Sequence, residues 1–304
     1  MKRLLFITII SVVMMAGRLV LPAFAQEQQK IPVLIDGLPV VFDVLPIIQN
    51  GRTLVPFRAI AEALNVKVDW DGTTQTISAT DGKTSIRLQI GNKTAHRNDS
   101  PILLDVPPQI LGVRTLIPLR FFSEAFDCQV NWDNSINGVR ITSPPKEMTV
   151  IGFYALGDSK TSSWTNIFGK PYPETDRGNT DVVGELALGR YSLDKEGNLL
   201  TKSRTGWQRP DGELADRIII MAYDYGSKPE PVSLVTQAVE IARASVPPEK
   251  LVLGISASSE TPESILIKVG IAKRYGLDGI AIWRLGLVTG EMWDTLRSTV
   301  IPRR

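Results

Sequence analysis

The hydrophobic positions of the chain change rhythm near residue 147. Before it the apolar runs are short and heavily punctuated. Val40-Val41-Phe42 and Ile102-Leu103-Leu104 are bounded by Pro, Gly and Asp, which predicts strands. Pro56 and Pro118 suit the first turn of a helix, where the missing N–H is not needed. Ile60 with Leu64, and Phe122 with Phe126, then fall four apart on one helix face. Val66, Val68 and Trp70 alternate as a strand, Asp71-Gly72 turns the chain, and Ile77-Ser78-Ala79 and Val139-Arg140-Ile141 predict closing strands. Beyond Ser143-Pro144-Pro145-Lys146-Glu147 the runs lengthen. Residues 149–154, 182–188, 217–224, 251–255 and 279–283 predict strands, the third near-continuous in apolar residues like a strand covered on both faces. Residues 232–244, 262–275 and 291–300 predict helices. The fold class expected is α+β for the first part, as two strand-helix-strand units, and α/β for the second, in the parallel order of a TIM barrel.

The first part is duplicated. Residues 36–71 align with 98–133 at a constant offset of 62, with 15 of 36 positions identical. The clearest match sets Arg52-Thr53-Leu54-Val55-Pro56-Phe57-Arg58 against Arg114-Thr115-Leu116-Ile117-Pro118-Leu119-Arg120. Arg58 with Glu62 and Arg120 with Glu124 lie four apart on the helices, where they could grip a ligand but are read as ion pairs on a solvated face. Trp70 and Trp132 could be sugar platforms; the reading favoured is a cap on the core. Cys128 stands where the first unit has Val66, so a buried hydrophobe is expected there rather than a reactive thiol.

Residues 1–25 predict an export signal. A basic start at Lys2 and Arg3 precedes the apolar stretch 4–17, and Ala23-Phe24-Ala25 is followed by polar Gln26-Glu27-Gln28-Gln29. Arg18 leaves about 14 apolar residues, short of the roughly 20 needed to span a bilayer. Cleavage is therefore expected, with no transmembrane span afterwards. No cysteine in the signal offers lipid attachment, and residues 301–304 carry no wall-sorting pattern, so the expected localisation is secreted or bacterial cell surface.

Composition narrows the chemistry. Hydrophobic content of 43% with 22% charged residues is ordinary for globular domains. Lys2, Arg3 and Arg18 carry more than the whole formal charge of +2, and residues 26–304 sum to −1, so no nucleic-acid partner is expected. A single cysteine permits no internal disulfide, and a single histidine excludes a metal site built from several imidazoles. No cofactor and no metal are expected.

The twice-occurring Arg-Thr-Leu-Val/Ile-Pro-x-Arg, Glu-Ala and Val-x-Trp-Asp elements resemble the copper amine oxidase N-terminal-like domain over about residues 31–143. That resemblance implies the stalk of such oxidases, not their catalytic domain. Copper catalysis there requires several His ligands and a Tyr-derived cofactor, whereas this chain has one His, and the repeats have no Tyr. Amine oxidase activity is excluded.

Met221-Ala222-Tyr223-Asp224-Tyr225-Gly226 and Gly279-Ile280-Ala281-Ile282-Trp283-Arg284-Leu285-Gly286 resemble the sixth and eighth barrel strands of glycoside hydrolase family 18. Gly152-Phe153-Tyr154 and Trp207-Gln208-Arg209-Pro210-Asp211-Gly212 are similar to the start of that barrel. The family acts on N-acetylglucosamine polymers, and the resemblance implies sugar contacts from Tyr154, Met221, Tyr223, Asp224 and Trp283. Its catalytic acid ends a D-x-x-D-x-D-x-E motif, which this sequence lacks. Residues 148–304 are also too few for a barrel of roughly 250 residues. A partial TIM barrel of about five of eight strands is expected, with Glu185, Asp224 and Glu260 as the nearest substitute carboxylates, read as solvated or structural, and no catalytic residue.

The organisation expected is a signal peptide (1–25), the tandem domain (31–143), a linker (144–147) and an incomplete barrel (148–304). The function expected is non-catalytic association with cell-wall or chitin-like polysaccharide, peptidoglycan included. The alternative is a family 18-like glycoside hydrolase. A third reading has only the first domain folded, acting as a surface interaction module.

Overall fold

The computed structural model describes residues 30–154, 181–188 and 216–303. Residues 1–25, where an export signal is expected, and the 207–212 segment lie outside these, as does the side chain of Tyr154. The described residues from Ile31 onward belong to one compact unit.

The repeat seen in the sequence is a repeat in space. The first unit comprises β1 (Val33–Ile35), β2 (Leu38–Pro39), β3 (Ile47–Gln49), β4 (Arg52–Pro56), α1 (Phe57–Ala63), β5 (Lys67–Asp71) and β6 (Thr76–Thr80). After β7 (Ser85–Gln89) the same series returns as β8 (Thr94–Arg97), β9 (Ser100–Leu103), β10 (Gln109–Leu111), β11 (Arg114–Pro118), α2 (Leu119–Ala125), β12 (Gln129–Asp133) and β13 (Gly138–Thr142). Strand registers recur at the offset of 62: Ile47 faces Leu54 as Gln109 faces Leu116, and Lys67 faces Thr80 as Gln129 faces Thr142. Left-handed backbone recurs too, at Asp36 and Asn98, Asn65 and Asp127, and Gln75 and Asn137. Pro56 and Pro118 cap their helices from just outside the first turn.

The two units exchange parts. β4 and β11 pair antiparallel about Val55 and Ile117, which are equivalent positions, so a pseudo-twofold axis passes between them. Arg52 pairs with Asp105 at 2.6 Å and Arg114 with Asp43 at 2.5 Å, each unit supplying the arginine for the other's aspartate. The lateral sheets also mix the units, in the orders β12-β13-β1-β2 and β5-β6-β7-β8-β9. Between them lies a core containing Ile60, Phe122, Phe126 and Cys128. The expected strand at 40–42 ends earlier, at Pro39; Val40 and Phe42 pack against that core instead, and Val41 is exposed.

The second part is a parallel sheet. Its strands are β14 (Lys146–Tyr154), β15 (Glu185–Leu188), β16 (Ile218–Ile220), β17 (Leu251–Ser256) and β18 (Gly279–Trp283), in the order β15-β14-β18-β17-β16. β19 (Val300–Pro302) pairs with the start of β14, so Lys146 and Glu147, expected in a linker, begin a strand. Three helices accompany the sheet: α3 (Val232–Arg243), α4 (Pro262–Arg274) and α5 (Gly290–Thr299). Val150, Leu253, Ile280 and Ile282 share a core with Val235, Val269 and Leu296 of those helices. The opposite face gathers Ile151, Phe153, Ala187, Ile219, Val252 and Ala281, drawn from all five strands. Five flat strands would hold β15 and β16 about 19 Å apart, at about 4.8 Å per strand. Yet Arg217, beside β16, donates to both carboxylate oxygens of Glu185 on β15, at 2.8 and 2.9 Å. The sheet is curled until its edges lie within side-chain reach.

Helix α4 joins the two parts. Arg274 donates to the carbonyls of Pro39 and Leu38, and Leu38 belongs to the helix-side core of the parallel sheet. Buried Asp36 accepts from the backbone and hydroxyl of Ser143, while Lys273 donates to that hydroxyl and to the Pro144 carbonyl. Gly37 and Gly270 allow this approach, since a Cβ at either would meet Ile267 or Asp36 within 3 Å.

Two predictions follow from the parallel sheet. A Cβ at Gly279 would sit 1.9 Å from the Thr149 carbonyl oxygen on the neighbouring strand. Gly279→Ala should therefore cost on the order of 3 kcal/mol in urea unfolding, and an unchanged midpoint would contradict this packing. Burial alone would raise the Asp278 carboxyl, but hydrogen bonds from Arg303 and Thr149 and the charges of Arg217 and Arg303 outweigh it and hold the pKa below 3.8. Its stabilisation is complete above that unfolded value and fades as pH falls through the lower folded one. Below about pH 4 the wild type should lose stability more steeply than Asp278→Asn, as measured by urea unfolding across pH.

Candidate functional site

In parallel α/β sheets the strand ends converge and loops carry the chemistry at the C-terminal edge. The structure brings the sequence-predicted residues to that edge. Tyr154 ends β14, its backbone in register with Leu188 of β15. Trp283 ends β18, opposite Ser256 of β17. Met221, Tyr223 and Asp224 follow β16 directly.

Among the described residues three aromatic rings lie on the inner side of this edge. Phe153 belongs to the inner core, and Trp283 packs on it edge to face, with ring centroids 5.2 Å apart. Tyr223 lies over Gly254 of β17, where a Cβ would come within 3.2 Å of its ring. Gly254 is in register with Ala281, another inner-core residue, so Tyr223 covers the same face. The Tyr223 hydroxyl reaches the Met221 sulfur at 3.0 Å, and Met221 is 53% exposed. The Trp283–Arg284 peptide is cis.

The strand expected over 217–224 stops at Ile220. The Ala222 N–H bonds back to the Ile220 carbonyl, and Asp224 adopts φ of 68°, which no extended strand permits. What holds that turn is Glu230, which sequence reasoning missed. Its side chain is buried (3% exposed) and accepts from the backbone N–H of Asp224 at 3.0 Å and of Tyr225 at 3.1 Å. Lys268 of α4 donates to the Glu230 carbonyl at 2.7 Å and pairs with Glu260 at 3.1 Å, both side chains of that pair being 2% exposed. The signal in the sequence was slight: Lys268 is a cation between apolar Ile267 and Val269.

The substitute carboxylates thus divide. Glu260 is committed to Lys268, in the interior. Glu185 is held by Arg217 at the opposite, N-terminal edge of the sheet. Asp224 alone of the three lies at the C-terminal edge, next to Tyr223 in the chain, and is exposed. Cys128 lines a cavity of about 580 Å³ between α4 and the tandem domain. Burial, reinforced by Asp36, pushes its thiol up to about 12. Among the described residues no cluster of His, Cys, Asp or Glu could hold a metal ion, and no helix is long and apolar enough to cross a membrane.

Two measurements test these assignments. Glu230→Ala would strand two backbone N–H groups and should cost about 2 kcal/mol or more, with faster hydrogen exchange at Asp224 and Tyr225. Retained protection at both amides would contradict the role given to Glu230. Cys128 should resist a thiol-specific disulfide reagent at pH 8 in the folded protein and react at once in urea.

Compared with known families, residues 34–141 match the model of the copper amine oxidase N-terminal domain, so the duplicated segment is a domain of that kind. No curated protein matches the chain.

Proposed function

We propose that the protein is exported to the bacterial cell envelope and associates there with peptidoglycan or another N-acetylglucosamine-containing glycan, without hydrolysing it. The observation that carries this reading is the placement of Tyr223 and Trp283 over one face of a curled parallel sheet, with exposed Met221 and Asp224 at the same C-terminal edge. Aromatic faces stack on sugar C–H faces, and a phenol and a carboxylate hydrogen-bond ring substituents. The order β15-β14-β18-β17-β16 is also the neighbour order that strands two, one, eight, seven and six would have in a closed barrel. This supports the partial-barrel reading, with the tandem domain as its companion module.

The absence of hydrolysis rests on the carboxylates. A glycosidase acid must be held protonated near the scissile oxygen by burial or a neighbouring charge. Asp224 is exposed, and Glu230 and Glu260 are spent on backbone amides and on Lys268. The sequence supplies no D-x-x-D-x-D-x-E motif.

Co-sedimentation with purified peptidoglycan and with chitin tests the proposal. The wild type should be retained, and Trp283→Ala combined with Asp224→Ala should lower retention at least fivefold under conditions where a cooperative urea transition shows the variant folded, its midpoint lowered because Trp283 also packs on Phe153. Equal retention of the double variant would remove the site from the account. Release of reducing ends from chitin oligomers, lost in Asp224→Ala, would replace it with the hydrolase alternative.

A further inference from the structure

We propose a second saccharide-binding site, on the tandem domain, in the groove beside Trp132. The groove is a cavity of about 370 Å³ formed where the start of β4 in the first unit meets the segment after β9, the start of α2 and β12 in the second. That volume lies within the range of small-ligand sites. Its wall carries Trp132, whose side of the molecule is open: the residue is 42% exposed, whereas the equivalent Trp70 is partly buried against the core.

The ring is fixed. The Trp132 indole N–H donates to Asn134 Oδ1 at 3.0 Å. The equivalent of Asn134 in the first unit is Gly72, which can make no such bond. With its N–H already satisfied, Trp132 offers a ligand chiefly its face, held in place before binding and so at little cost in side-chain entropy.

The rim then selects the ligand class. Arg52 pairs with Asp105 at 2.6 Å, and Arg120 with Glu124 at 3.7 Å, all four side chains about half exposed. Two cations and two anions leave the rim with no net charge to favour a phosphate or an ammonium group. What remains is donors set beside acceptors in a groove that an aromatic ring also lines. A sugar hydroxyl is both donor and acceptor, and can take a hydrogen bond from a guanidinium while giving one to the adjacent carboxylate. The groove therefore fits a neutral pyranose chain, with ring C–H groups on Trp132 and hydroxyls on the two ion pairs. The arrangement belongs to the second unit alone in two respects: Asn134 fixes the ring, and Phe121 stands beside the groove where the first unit has Ala59.

This site is independent of the sheet-edge site, and one titration separates them. Isothermal calorimetry of the purified protein with hexa-N-acetylchitohexaose and with cellohexaose should detect binding that Trp132→Ala weakens at least tenfold. Trp132→Phe should retain more of it, and Arg120→Ala with Glu124→Ala should weaken it several-fold. Trp283→Ala with Asp224→Ala should leave this binding unchanged. If Trp132→Ala binds both oligosaccharides within twofold of wild type, the groove proposal is overturned, whatever happens at the sheet edge. If Trp132→Ala abolishes all binding and the Trp283/Asp224 variant abolishes none, the groove stands and the sheet-edge reading falls. Failure of the wild type to bind either oligosaccharide overturns the groove.

Discussion

A five-stranded parallel sheet laid flat has two open edges and two faces that need covering. Among the described residues the helices cover one face, and on the other the curl gathers side chains of all five strands. Arg217 is the side chain through which that curl is visible: it donates to Glu185 across the gap and sits 2.7 Å from Asp278 between them. Arg303, just past the final strand, closes on the same aspartate. Once the edges are drawn together, Ala187 and Ile219 join one small core, and Trp283 and Tyr223 overlie the same face. The ion pairs at the N-terminal edge and the aromatic residues at the C-terminal edge thus belong to one curved sheet.

Helix α4 carries side-chain hydrogen bonds to both the tandem domain and the loops of the parallel sheet. α4 places Lys268 toward the Asp224 turn and Arg274 and Lys273 toward the β1–β2 hairpin and Ser143. The same element thus supports the candidate site and the junction between the parts. Loosening of the hairpin contacts has a physical route to the turn that presents Tyr223 and Asp224.

Much of this was legible in the sequence, for identifiable reasons. The offset of 62 disclosed the duplication because backbone constraints repeat along with the side chains; prolines at 56 and 118 and small polar residues at the left-handed positions are recorded in both copies. The long apolar runs disclosed the parallel strands, since strands covered on both faces leave no alternation to misread. What stayed hidden depends on contacts distant along the chain. Glu230 reads as one more acidic residue in a Pro-rich loop, and only the turn folding back over it makes it a ligand for two amides. The apolar residues after Ile220 looked like more strand, because an αL aspartate leaves no trace in a hydropathy pattern. Phe153 was overshadowed by its neighbour Tyr154, although its two-residue spacing from Ile151 pointed to the inner face.

The exchange of strands between the two units has a consequence for how such a domain can grow. In one lateral sheet β7 lies between β6 and β8, while in the other β13 pairs directly and in parallel with β1. At the repeat offset, the strand that would occupy the vacant place is β14, which instead founds the parallel sheet. Each unit has given its joining surface to the other, as in an isologous dimer rather than a head-to-tail array. The two units close on each other, and the strand that the repeat would call for next begins a different fold instead.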